Sequence, residues 1–380
     1  MANVLTDLAA DIYKAADIVG RELVGVIPSS TINAGSEGAA IGQTVRSFAT
    51  RAASAVDITP SMTIPQGTDQ TVDNKTLTLT KQRGVQIPFT GEDVKFLNGG
   101  AGFETVYGQQ IAQAMRALTN EIEADMATEA YKNASRAVGT AGTTPFASNF
   151  NVIAEARQIL ADNGMPVNDG RVSMIVNTAA GTKLRNLAQL QQANTAGGTD
   201  LLRQGVLLDL QGAMIRESAG IQAHTAGSGS SYQTSAAVAV GGTSVALDTG
   251  SGTVLAGDVV TFAGDSNNYV VNTGIAAAGT VVIGDTGARA AIADNTAMTI
   301  GNAYTANILM HQAAMELAMR APAKPLGGDA ASEVLIVQDP VSGLVFEVAV
   351  YKGFNKAMIQ VGAVWGYKAW NSDGIALIMG

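Results

Sequence analysis

The amino-acid sequence predicts an α+β fold interrupted by an inserted small β-barrel domain. Three observations carry this prediction. Residues 102–134 hold the longest run of unbroken helical periodicity without proline. Residues 146–225 alternate helical and strand patterns, which describes an α+β layer with a sheet at its centre. Residues 226–303 are short β-rich runs divided by Gly, Asp and Asn turns about every ten residues, the spacing of a small barrel or sandwich.

Taken in order, the chain opens with Leu5, Leu8, Ile12, Ala15, Ile18, Val19, Leu23 and Val26 at helical spacing, so one or two amphipathic helices are expected before Pro28. Residues 28–57 lose all sustained period and read as a surface loop, or as a segment ordered only by lying on a neighbour. Together, residues 1–57 form an N-terminal arm. Residues 58–90 show Thr-rich alternation at Lys75–Thr80 and again at Val85–Phe89, punctuated by Pro60, Pro65, Pro88, Gly67 and Gly84. These features describe a long two-stranded ribbon, which carries too little apolar surface to be stable alone.

The stretch 91–145 contains the long helix. Phe103, Tyr107, Ile111, Met115, Leu118, Ile122 and Met126 fall on one stripe, while Gln109, Gln113, Arg116, Asn120, Glu123 and Lys132 occupy the other face. A rod of this kind, roughly 50 Å long, reads as a spine that carries separate sheets. In 146–225, residues 151–164 are an amphipathic helix stopped by Asn163 and Gly164, 171–177 a buried strand, 178–190 a helix, and 205–218 two strands around Gly212. Within 226–303 the expected strands are Ser244–Leu247, Val259–Phe262, Tyr269–Val271, Thr280–Ile283 and Ala297–Ile300. Val259, Thr261, Phe262, Tyr269, Val271, Val282 and Ile283 are their expected core. In 304–380, residues 306–320 read as a helix stopping at Pro322. Strands at 334–337, 346–350, 357–367 and 374–379 then return to the earlier sheets.

Composition excludes several functions. Net charge −9 leaves no basic stripe for nucleic-acid binding by bulk electrostatics, and the absence of cysteine removes disulfides and thiolate metal sites. Only 14% of residues are charged and 43 are glycine, which suits a surface largely hidden against other subunits. The start of the chain lacks the pattern of a signal peptide and no run is apolar enough for a membrane span, so a soluble protein made in the cytoplasm is expected. His224 and His311 stand apart, and His311 misses the metal-binding HExxH pattern. Glu121, Glu123, Asp125 and Glu129 read as a solvated or salt-bridged face rather than an acid/base pair. The glycine clusters at 35–42 and 99–102 lack a phosphate-loop lysine, and the acidic turns of 226–303 do not space a calcium site. No catalytic residue, cofactor or metal is therefore expected.

Several stretches carry a resemblance: TGEDVKFLNGG at 90–100, RQGVLLDLQGAMIRES at 203–218, AGDVVTFAG and NNYVV at 256–271, ANILMHQAAMELAMRAP at 306–322 and AVWGYKAWNSDGIALIMG at 363–380. In this order they resemble the major capsid proteins of tailed double-stranded DNA bacteriophages, the Hong Kong 97 coat fold. The chain is most similar to the branch typified by the coat of the Salmonella short-tailed phage, with its inserted β-domain. The resemblance implies a set of parts: N-terminal arm (1–57), extended hairpin loop (58–90), spine helix with peripheral domain (91–145), axial domain (146–225), inserted β-domain (226–303) and a return to the core (304–380). It further implies a structural protein of the virion, made in the bacterial host cytoplasm, whose copies form hexamers and pentamers of an icosahedral shell. A separate scaffolding protein, a portal and packaged double-stranded DNA held without sequence-specific binding are the implied partners, with no membrane. Arg46, Arg51, Lys75, Lys81 and Arg83 are the expected intersubunit contacts. Two other readings compete: an encapsulin-like nanocompartment shell, and a hydrolase with an accessory β-domain.

Overall fold

The structure is a computed structural model that describes residues 24–49, 57–64, 73–97, 103–191, 209–338 and 343–380. The expected helices of 5–27 lie almost wholly outside the described residues. Three sheets and one long helix carry the architecture of the described residues.

From the N-terminal side, a 3₁₀ turn, Ile27–Ser29, leads into β1 (Thr31–Ala39) and β2 (Thr44–Ala49). Next come β3 (Asp73–Thr78), β4 (Lys81–Thr90), α1 (Gly91–Leu97) and the long helix α2 (Phe103–Lys132). The chain continues through β5 (Arg136–Gly139), α3 (Asn151–Asp162), β6 (Val172–Val176), α4 (Thr178–Arg185), α5 (Ala188–Gln191) and β7 (Met214–Glu217). A run of short strands follows: β8 (Ala223–His224), β9 (Gln233–Thr234), β10 (Ser244–Asp248), β11 (Val259–Phe262), β12 (Asn268–Thr273), β13 (Gly279–Ile283) and β14 (Met298–Ile300). Longer strands close the chain: β15 (Tyr304–His311), β16 (Met315–Pro322), β17 (Ala331–Gln338), β18 (Val345–Gly353), β19 (Lys356–Ala369) and β20 (Ile375–Met379).

At 30 residues, α2 is about 45 Å long. Its expected stripe is buried from Tyr107 through Ile111, Met115, Leu118, Ile122 and Met126. That face shares one core with Trp365, Phe346 and Met319 of the six-stranded sheet, ordered β1-β16-β19-β18-β17 with β4 also on β19. A second core, on the far side of β6 and β20, joins Ile153, Ile159 and Leu160 of α3 to Val172, Met174 and Ile378.

The short strands close on themselves. Their order runs β9-β10-β13-β12-β11-β14, and β14 returns to β9 through the Gln233–Ala297 bridge and the Met298 N–H donating to the Tyr232 carbonyl at 2.9 Å. This is the small barrel that the turn spacing predicts. Phe262, Tyr269, Val271 and Ile283 fill it, but two expectations need correction. Val259 and Val270 face the α2 core while Val260, Tyr269 and Val271 face the barrel core, because successive residues of a strand point to opposite faces. In β13 the buried residues are Val281 and Ile283, and Val282 and Thr261 are only half-buried. β11 and β12 are thus a wall shared by two cores, and β12 pairs directly with β5 of the body.

Three further expectations are corrected. The stretch 306–320 is not a helix but parts of β15 and β16, joined by a 3₁₀ turn at Gln312–Ala314. It is apolar on all sides, and periodicity does not separate a doubly buried strand from a buried helix. Both strands are buried on both faces, and β15 is held between β6 and β20. The arm contains two strands. β1 pairs in parallel with β16, some 285 residues further along (Thr31 with Glu316), a partner that no local pattern announces. The ribbon also has a different composition: β3 pairs with β2 of the arm, and β4 pairs along its whole length with β19. Leu77 and Leu79 set this division. Both are buried against Ala39, Ala318 and Val364, so the chain is pinned to the sheet between β3 and β4.

Candidate functional site

Several titratable groups of the described residues join elements. Among those residues no group of three or more His, Cys, Asp or Glu side chains is placed to hold a metal ion, and no helix is long and apolar enough to cross a membrane. His311 pairs through Nε2 with Asp169 at 2.8 Å, and its Nδ1 accepts the Ala313 N–H at 3.2 Å, capping the turn between β15 and β16.

His224 sits where the chain leaves the body for the barrel. Its Nε2 lies 2.8 Å from Oδ1 of Asp258, which is fully buried and also accepts the N–H groups of Gly227 and Leu255. Tyr304 donates its hydroxyl to the Gly257 carbonyl, and burial, followed by the nearby Tyr131 and Asp258, raises its phenol far above the ordinary value. Gly257 adopts φ +99°, and a Cβ there would come within 2.6 Å of the Tyr131 ring, so the AGD turn requires glycine on both counts. The strands leaving and re-entering the body, β8 and β15, pair directly at His224 and Tyr304.

The acids of α2 divide into two roles. Glu121 and Asp125 face β4: Lys81 Nζ lies 2.7 Å from Asp125 and 3.3 Å from Glu121, and Arg83 Nε lies 3.3 Å from Glu121. Burial pulls the Lys81 ammonium down, but the hydrogen bonds and charges of Asp125 and Glu121 outweigh it and leave the group raised. Glu123 departs from the expected polar face. It is 1% exposed, and its carboxylate accepts three consecutive backbone N–H groups, from Gly25 and Val26 at 2.7 Å and Ile27 at 3.0 Å, with the Ser218 hydroxyl at 2.6 Å. One side chain therefore fastens the root of the arm to α2 and to the strand end after β7. The sequence hinted at this only through the small residue Gly220, which makes room for it. A Cβ at Gly220 would meet Glu123 Cγ at 2.7 Å.

Of the five cations expected between subunits, Lys81 and Arg83 are engaged within the chain by the acids of α2. Lys75 donates to the Trp370 carbonyl at 3.3 Å and lies 5.6 Å from the Trp370 ring centroid. Arg46 is exposed on β2, and Arg51 lies outside the described residues. In the segment 57–64, Ile58, Met62 and Ile64 are at least 90% exposed.

No family model and no curated protein matches this sequence. Among solved structures, the chain is similar to the cyanophage P-SCSP1u capsid, with 11% identity over 92% of this chain and 86% of that one at a TM-score of 0.48. It is similar to the bacteriophage PhiM1 mature capsid with 10% identity over 92% and 85%, at a TM-score of 0.47. Alignment with a virus-like particle from Pyrococcus furiosus spans 97% of this chain and 96% of that one, at 9% identity and a TM-score of 0.42.

Proposed function

We propose that this chain is a major capsid protein of the tailed-phage type, whose identical copies build an icosahedral shell of hexamers and pentamers around double-stranded DNA. The observation that carries the reading is the exposure of the described segment 57–64. It lies between β2 and β3, and all eight of its residues are exposed, three large apolar side chains among them. Exposed apolar side chains grouped in this way mark a surface that a partner covers, and in this reading a neighbouring copy supplies the cover. Resemblance over the ordered stretches from 90–100 to 363–380 supports the same function. The net charge of −9 suits a wall that holds packed DNA without gripping it.

In this reading the barrel lies on the outer surface of the shell, Arg46 reaches the neighbour, and a separate scaffolding protein and a portal take part in assembly within the host cytoplasm. Electron microscopy of the purified protein, alone and co-expressed with a scaffolding protein, is the test. Closed shells tens of nanometres across are the expected result. A monodisperse monomer under every assembly condition, scaffold included, overturns the proposal.

A further inference from the structure

Met62 stands apart from the other methionines of the described residues. Its side chain is 105% exposed, within the segment 57–64 and between Ile58 at 99% and Ile64 at 90%. Met165, Met214 and Met358 are half-buried, and the Met165 sulfur also accepts the Asn371 amide at 3.7 Å. The remaining described methionines are buried, Met115, Met126 and Met310 completely. An oxidant in solution therefore meets one fully open thioether among the described residues, since methionine oxidation follows access to the sulfur. That thioether lies within the apolar group that the coat-protein reading places against a neighbouring copy. Asp57 carries the only charge of the segment, so its character is set by those three side chains.

We propose that Met62 is an oxidation site at which hydrogen peroxide or an organic hydroperoxide controls association between copies. The inference rests on the coat-protein reading and adds a chemical control to the surface named there. In the step, the sulfur lone pair attacks one peroxide oxygen, an S–O bond forms and the O–O bond breaks. Sulfur is oxidised by two electrons and the peroxide is reduced. The proton of the transferred hydroxyl passes to the departing oxygen, which leaves as water or alcohol. The product, methionine sulfoxide, is polar and must shed bound water before it can enter an apolar contact. With only three apolar side chains in the exposed group, turning Met62 polar weakens the whole surface. Control runs both ways: oxidation opposes association, and a neighbour seated over the segment encloses the sulfur and keeps peroxide from it.

The chain has no cysteine, so methionine is its only sulfur and the readout is direct. Dispersed full-length protein is treated briefly with hydrogen peroxide, and peptide mass spectrometry places the oxygen taken up. Met62 is expected to gain one oxygen several times faster than any other methionine, and several times faster in dispersed than in assembled protein. Oxidised protein is expected to need about tenfold or more higher concentration to associate, the factor that follows from losing one buried apolar side chain. Met62→Leu keeps the apolar volume without sulfur, so it should associate like the parent before and after peroxide. Met62→Gln, polar without any oxidant, should associate like the oxidised parent. Oxidation of another methionine ahead of Met62, an equal loss of association in parent and Met62→Leu, or Met62→Gln associating at the parent concentration overturns the proposal. Microscopy separates it from the coat reading. Shells that form equally well from Met62-oxidised protein sink this inference alone, whereas unoxidised protein that stays monomeric under every assembly condition removes the coat reading and this inference with it.

Discussion

Replacing Glu123 by alanine is the sharpest test of how the arm is held. The substitution removes the acceptor for the N–H groups of Gly25, Val26 and Ile27 and for the Ser218 hydroxyl. Two responses compete. If the arm root stays in place, four buried donors lose their partner at about 1–3 kcal/mol each, roughly 4–12 kcal/mol together. If the root detaches, water satisfies the donors, but Val26 and Ile27, both fully buried, are exposed. That route costs about 1.5–3 kcal/mol per side chain, roughly 3–6 kcal/mol in all. Detachment is the cheaper response, so Glu123→Ala is expected to release residues 24–29 while α2 and the sheets stay folded. Hydrogen exchange reads this residue by residue: the amides of Gly25, Val26 and Ile27 should exchange at loop rates while the amides of α2 keep their protection. Glu123→Gln, which keeps the shape and one acceptor oxygen, should fall between. Full protection of the three amides in Glu123→Ala, with an unchanged unfolding midpoint, would refute the reasoning.

Two more predictions concern the barrel. Phe262 is 2% exposed with its ring 5.9 Å from that of Tyr269, so Phe262→Ala should cost about 3–5 kcal/mol and lower the yield of assembled protein; a variant whose thermal unfolding matches the parent contradicts this. Burial, then the hydrogen bond donated to Asp265, pushes the Tyr269 phenol up from 10.0 to about 12. The fold thus favours the neutral phenol. Its contribution to stability is complete below pH 10.0 and disappears as pH rises through about 12. Tyr304, Tyr131 and Tyr367 are raised as well, so unfolding measured from pH 9 upward should show a smaller alkaline loss in Tyr269→Phe than in the parent, and identical alkaline profiles would count against it.

The sequence by itself determined the elements whose signal is local. The stripe from Tyr107 to Met126 repeats at the helical period, and the barrel strands alternate between turns of Gly, Asp and Asn, so both were legible without any knowledge of what they touch. Tertiary structure decided everything that depends on a distant partner. The apolar run 306–322 is compatible with helix or strand, and becomes β15 and β16 because β6, β20, β19 and β1 lie on either side of it. β3 leaves β4 for β2 because Leu77 near its end and Leu79 just after it are pinned against Ala39, Ala318 and Val364. Val259 belongs to the α2 core because β11 is a wall between two cores, and which face of a strand meets which core is a question of docking. Glu123 looks like any other acid on a polar helix face until residues 25–27 wrap their amides around it. Periodicity records which side chains avoid water, but the identity of the neighbour that shelters them is set only when the whole chain is folded.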